Sequence, residues 1–241
     1  MIDVMYPLGK GTVWEDNELK YSLRSIEKHL SNFRDIYIVG EKPNFLNDKV
    51  IHIPYEDTNR CKETNIYSKI LHVCSTNISD QFLFFNDDHF LAHNYDAAAF
   101  PFYYKGDLVS VIQRIPQNLY TRSVILTAQL LQGLGLTTLN FDTHTPIIYD
   151  KYKFPEVMGR YDWTNRFGFV VKSLYGNSLG IEGVREPDCK INYPIDTKEQ
   201  LFNAIKDRKV WSIGNKGISE GLKQGLEELY PTPSRWEKEH S

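Results

Sequence analysis

The chain has 241 residues, 41% hydrophobic and 24% charged, with 28 Lys and Arg against 31 Asp and Glu. That composition supports one large folded domain and excludes a disordered or fibrous chain. A net charge of −3 supplies no global attraction to nucleic acid, and the three cysteines (Cys61, Cys74, Cys189) share no CxxC spacing, which argues for reduced thiols rather than a disulfide scaffold.

Met1 to Leu8 is apolar but lacks the basic region of a signal peptide. No stretch approaches the roughly 20 apolar residues of a membrane span. A soluble, cytoplasmic protein is the expectation. Ile2 to Tyr6 reads as a first strand, stopped by Pro7 and followed by Gly9-Lys10-Gly11-Thr12, which lacks P-loop spacing. A helix starts at Asp16 or Asn17, with Leu19, Leu23, Ile26 and Leu30 on one face. Asp35 to Val39, closed by Gly40, and Val50 to Ile53 are further strands, and Glu63 to Cys74 is helical. Phe82 to Phe85 is an uninterrupted apolar run, as expected of the fourth strand of a mainly parallel, doubly wound α/β sheet covered on both faces.

The second half is less regular. Ala97 to Lys105 reads as an apolar, aromatic loop, Asp107 to Ile112 as a strand, and Leu119 to Leu131 as a helix ended by Gly133 and Gly135. Leu139 to Tyr149 is strand-like with a polar interruption, Asp142-Thr143-His144-Thr145. Thr164 to Tyr175 reads as a helix ending at Gly176. Cys189 to Tyr193 and Val210 to Ile213 are short strands, Ile218 to Leu229 is an amphipathic helix, and the tail after Pro231-Thr232-Pro233 reads as loose. The absence of repeats and linkers indicates a single domain. Its expected division is a nucleotide-binding half at 1–95, an acceptor-side half at 96–230 and the tail at 231–241.

The chemistry concentrates where the fourth strand ends, at Asn86-Asp87-Asp88-His89. Two adjacent carboxylates at the carboxyl edge of a parallel sheet either face water in a solvated turn or share a divalent cation such as Mg²⁺ or Mn²⁺. His144, in a polar run with Asp142, Thr143 and Thr145 whose flanks are apolar, is the best histidine partner for such an ion, the other reading being a hydrogen-bonded strand histidine. His89 and His93 have helical spacing, but no HExxH glutamate accompanies them. Arg24 and Arg166 are the arginines suited to clamping a diphosphate, or else ordinary surface residues. Gly176-Asn177-Ser178-Leu179-Gly180 matches the G-x-S-x-G nucleophile elbow, but the segment before it is helical and the only later histidine is His240 in the tail. The match is read as chance.

Taken in order, Ile2-Asp3-Val4, Asn17-Glu18-Leu19-Lys20-Tyr21-Ser22-Leu23-Arg24-Ser25-Ile26 and Phe84-Phe85-Asn86-Asp87-Asp88 resemble the Stealth family. His144-Thr145-Pro146, Thr164-Asn165-Arg166-Phe167 and Val210-Trp211-Ser212-Ile213-Gly214-Asn215 resemble its later elements. Stealth proteins are hexose-1-phosphate transferases built on a nucleotide-sugar fold like that of GT-A glycosyltransferases. The resemblance implies a GT-A-like single domain and a nucleotide-sugar donor, UDP-linked by expectation, with a glycan or other hydroxyl acceptor. It implies Mn²⁺ or Mg²⁺ held by Asp87 and Asp88, with His144 as a further ligand or phosphate contact. Arg166 would stabilise the diphosphate, Asn215 would position the donor, and Glu18 and Arg24 would line the cleft. Asp142 and Asp162 are candidates for the base that accepts the acceptor's proton.

The chain departs from the family at Pro7-Leu8-Gly9, where members carry Trp-Val-Asp-Gly, and at Gly214-Asn215-Lys216, where they carry an Asn-Asp pair. Sugar transfer is therefore expected first, and sugar-phosphate transfer of the capsule-synthesis kind second. A non-catalytic nucleotide-sugar-binding module is the rival outside the enzymes. A nucleic-acid acceptor is disfavoured by the charge.

Overall fold

A computed structural model describes residues 1–112 and 118–239. The first half contains β1 (Ile2–Leu8), α1 (Asn17–His29), β2 (Leu30–Ser31), β3 (Phe33–Gly40), β4 (Ile51–Ile53), α2 (Lys62–Cys74) and β5 (Gln81–Phe84). There follow β6 (His89–Leu91), β7 (Tyr95–Asp96), β8 (Tyr103–Tyr104), α3 (Leu108–Ile112), α4 (Leu119–Gly133) and β9 (Ile147–Asp150). The remainder comprises α5 (Lys153–Met158), α6 (Val171–Ser178), β10 (Val184–Arg185), β11 (Lys190–Ile191), α7 (Lys198–Ile205), β12 (Val210–Ile213) and α8 (Glu220–Leu229).

The main sheet runs β4-β3-β1-β5-β9, parallel except for β9, which pairs antiparallel with β5. Alternation along each strand sends side chains to two cores. Met5, Tyr37, Val39, Phe82 and Phe84 meet α2 through Tyr67, Ile70 and Val73 on one face. Val4, Tyr6, Ile36, Ile38, Leu83 and Phe85 meet α1 through Leu19, Leu23 and Ile26 on the other. Each such buried aliphatic or aromatic side chain contributes about 1.5–3 kcal/mol. This is the expected α/β architecture, a mostly parallel sheet between helices. Chain order reverses between β1 and β5: β3 and β4 are added on one side of β1, and β5 on the other. The carboxyl ends of β1 and β5 therefore flank the crevice where doubly wound sheets take ligands. A second sheet, β11-β12-β6, packs with α7 and α8 around Phe90, Trp211, Leu222 and Leu226.

Several local expectations are corrected. β1 does not stop at Pro7. It continues to Leu8, because pairing with β5 ends at Met5↔Phe84 and a proline beyond that point costs no ladder bond, while pairing with β3 continues through Pro7↔Val39. Gly40, at φ 122°, closes β3 where a Cβ would stand 2.0 Å from the Leu8 carbonyl oxygen. Residues 108–112 are a helix rather than a strand, started by Asp107, whose Oδ1 accepts the Val109 N–H at 2.7 Å.

Of Leu139 to Tyr149, only Ile147 onward is strand, and the polar interruption is a loop. The predicted helix at 164–175 begins instead at Val171 and passes through Gly176 to Ser178. Gly176 is thus not a terminus. It admits the Phe141 ring, which lies 2.7 Å from where a Cβ would be. Ser178 bonds the Tyr161 hydroxyl at 2.9 Å and sits at the end of a helix, not on an elbow, while His240 lies outside the described residues.

Nor is the tail loose over residues 234–238. Trp236 and Glu237 are buried, and Lys238 donates its N–H to the Phe45 carbonyl at 2.8 Å. Among the described residues no helix is long and apolar enough to cross a membrane.

Candidate active site

Where β5 leaves the sheet, a turn closed by the His89 N–H on the Asn86 carbonyl turns Asp87 and Asp88 into the crevice. A cavity of about 380 Å³ opens there, lined by Asp87, Asp88, Asp142 and His144 together with Lys62, Glu63, Lys105, Tyr120, Lys172 and Lys190. A second lobe of about 370 Å³ lies between the β1–α1 loop (Gly9 to Thr12) and α2, lined also by Asp57, Arg60, Asn65 and Lys69. The lobes share Lys62, Ile66, Asn86 and Asp87. Together they form one bent cleft with the acidic turn at its elbow.

The two aspartates have opposite environments. Burial opposes the charge of Asp88, but Lys190, His89 and His144 outweigh it and hold the carboxyl well below its usual range. Its Oδ2 accepts from Lys190 Nζ at 3.0 Å and Ser212 Oγ at 3.1 Å. Asp87 is pushed up to about 7 by burial first and the Asp88 charge second. Glu18, buried at the start of α1 and accepting from Thr12 Oγ1 at 2.7 Å, is also raised, by burial and by its neighbours Asp16 and Asp88. His89 is fully buried, and burial drives its pKa well below the ordinary value.

A divalent cation fits two observations. Asp88 Oδ1 is buried without a hydrogen-bond partner, and Asp87 has no compensating charge sufficient to keep its carboxyl in the normal range. Among the described residues no three His, Cys, Asp or Glu side chains converge as metal ligands. The residues that would hold such an ion are the carboxylate pair Asp87 and Asp88, with its remaining ligands supplied from outside the chain.

Across the cavity, the loop before β9 carries Asp142 and His144. Burial disfavours the Asp142 charge, yet Lys105, Lys172 and His144 lower its pKa overall, and its Oδ2 accepts from the Tyr120 hydroxyl. His144 Nδ1 is 2.7 Å from Asp188 Oδ1. Lys172, almost wholly buried, donates to the carbonyls on either side of His144, at 2.9 Å to Thr143 and 2.7 Å to Thr145. Glu63, half-buried in the first turn of α2, is pushed up to about 7 by burial and the Asp142 charge.

Arg24, Arg166, Asn215 and Asp162 are not brought to this cavity. Arg24 is buried with Glu237, donating Nε and Nη2 to its carboxylate at 2.8 Å each, and Nη1 reaches the Tyr230 carbonyl at 3.2 Å. Arg166 is exposed, in the loop before α6, with its guanidinium 5.6 Å from the Phe167 ring centroid. Asn215 is exposed at the start of a short 3₁₀ turn after β12. Asp162 is likewise exposed, accepting from Thr164.

The fixed positive charge that the arginines were expected to supply comes instead from four lysines, Lys62, Lys105, Lys172 and Lys190. Sequence reasoning sought phosphate contacts among arginines and passed over them. The one local signal was Asp188-Cys189-Lys190, an acid and a base bracketing the start of a predicted strand.

No family model matches the chain, and no curated protein matches it in sequence. Among solved structures, the chain is similar to the apo structure of WbbM, a bifunctional glycosyltransferase, at 12% identity and a TM-score of 0.48. The match covers 96% of this chain and 50% of that one, so the chain spans about half the length of WbbM.

Proposed function

We infer that the chain transfers a sugar from a nucleotide-sugar donor to a hydroxyl acceptor. The observation that carries this reading is the Asp87-Asp88 turn at the β1/β5 switch point, set at the elbow of a two-lobed cleft whose lysines face an acidic centre. The order β4-β3-β1-β5 with an antiparallel β9 beside the acidic strand supports a GT-A-like arrangement.

In this reading the nucleoside lies in the lobe beside Gly9 to Thr12, the diphosphate crosses Asp87, and the sugar enters the lobe of Asp142 and His144. The acceptor oxygen attacks the anomeric carbon as the bond from that carbon to the diphosphate oxygen breaks, and the acceptor's proton passes to a carboxylate of this lobe. Glu63, raised toward neutrality, matches that task better than Asp142, which the lysines keep anionic. Lys62 and Lys190 stabilise the negative charge on the departing nucleotide. A divalent cation held by Asp87 and Asp88, when bound, adds charge neutralisation at the diphosphate.

The test is a panel of nucleotide sugars with Mn²⁺ or Mg²⁺, read by thermal shift and nucleotide release. Release of a nucleoside diphosphate is expected. Release of a nucleoside monophosphate would assign attack at phosphorus, and so the sugar-phosphate reaction of the Stealth kind. Asp88→Asn is expected to lower release by about 10²–10³-fold with an unchanged circular dichroism spectrum. Undiminished turnover in that variant would overturn the site assignment, and stabilisation without any turnover would favour the binding module.

A further inference from the structure

The geometry points to Asp188 as a positioning residue that fixes the orientation and tautomer of His144, with Lys105 as its anchor. Three segments distant in sequence converge to do this: Lys105 after β8, His144 before β9 and Asp188 before β11. Asp188 Oδ1 stands 2.7 Å from His144 Nδ1 and accepts the His144 backbone N–H at 3.4 Å. Its other oxygen accepts from Lys105 Nζ at 2.7 Å. The next residue completes the clamp, as Cys189 Sγ donates to the His144 carbonyl at 2.9 Å. Ring, N–H and carbonyl of His144 are thus all bonded to two consecutive residues, and Lys172 holds the carbonyls on both sides.

The chemical consequence follows from the charge on Asp188. A carboxylate with its lone pairs directed at Nδ1 and Lys105 can only accept, so Nδ1 carries the imidazole proton and the free lone pair stays on Nε2. His144 lines the cavity, and with Nδ1 turned to Asp188, Nε2 is the ring nitrogen left to accept a hydrogen bond there. An acceptor hydroxyl in the sugar lobe offers that bond. Its part in turnover rests on the sugar-transfer reading, whereas the tautomer does not.

The experiment is long-range ¹H–¹⁵N correlation of the histidine side chains in the full chain above neutral pH, with the His144→Gln spectrum identifying the signal. The wild type is expected to show His144 protonated on Nδ1 only. Asp188→Asn, whose amide can donate to Nδ1, is expected to move the proton to Nε2, and Asp188→Ala to give a mixture. Unchanged signals from the other histidines report an intact fold. A wild-type His144 protonated on Nε2, or on both nitrogens, overturns the proposal, as does an Asp188→Asn spectrum identical to the wild type. Where nucleotide release is measurable, Asp188→Asn is expected to lower kcat by about 10–100-fold with donor KM unchanged and Asp188→Glu to recover part of the loss. Absence of turnover in the wild type would count against the sugar-transfer reading and leave the spectra to decide the tautomer.

Discussion

Glu63 sits in the first turn of α2 and lines the same cavity as Asp142, yet its neighbours in the chain, Lys62 and Thr64, give no hint of a site. Its carboxyl is pushed from 4.5 up to about 7, by burial and then by the Asp142 charge. A group with a raised folded-state pKa leaves the folded protein holding more protons than the unfolded chain between those two values. Its contribution to stability therefore falls as pH rises through about 4.5 to 7 and is level above. Glu63→Gln removes the titration. Its Tm advantage over the wild type is expected to grow across that window to about 2–4 °C, the shift that roughly 1 kcal/mol gives a chain of this size. Thermal unfolding at a series of pH values checks this, and an advantage independent of pH would contradict it. At this scale the positions of Asp87, Asp88, Asp142 and His144 around one cavity were readable because the polar runs 86–89 and 142–145 interrupt apolar sequence. Lys105, Lys172, Lys190 and Asp188 were not, since a lysine looks the same on a surface and in a cleft until the fold chooses its surroundings.

Helix α1 was readable as an element: Leu19, Leu23 and Ile26 recur at helical spacing, and all three are fully buried. What periodicity could not supply was the destination of Arg24. One residue on from Leu23 the helix has turned by 100°, and the guanidinium meets Glu237 instead of the cleft. Both partners are almost wholly buried, so Glu237→Ala strands a charge and is expected to cost about 3–5 kcal/mol, measured by urea unfolding. A loss below about 1 kcal/mol would place the pair in the class of surface bridges. Arg24→Met with Glu237→Leu is expected to recover much of the loss, because neither charge is then left alone. The reading of 107–112 as a strand failed for another reason. Val109, Val111 and Ile112 favour strands by β-branching, but the Asp107 cap and the bond from the Leu108 N–H to the Thr138 carbonyl start a helix.

In the whole molecule, regularity declines with strand length. β1, β3 and β5 have apolar runs and were foreseeable, whereas β8 and β10 have two residues each, too few to show any period. The same contrast governs stability. Amides of β1, β3 and β5, between two cores, are expected to exchange with solvent only on global unfolding, and those of the β8/β10 and β2/β7 pairs orders of magnitude faster. Hydrogen-exchange mass spectrometry resolves these segments. Equal protection in the short pairs and the central strands would mean that the satellite pairs belong to the same cooperative unit.

The bond between Arg24 and Glu237 joins residues 213 positions apart. Consider the chain as it is made. Helix α1 leaves the ribosome before Glu237, with its leucines able to find β1 and β3 soon afterwards, but with a guanidinium on its flank that has no carboxylate yet to meet. That partner follows 213 positions later, along with Trp236, which covers the same side of the sheet. That face of the sheet is therefore assembled in two instalments, separated by the synthesis of the residues between them. The helix is finished only when a partner made well after it arrives.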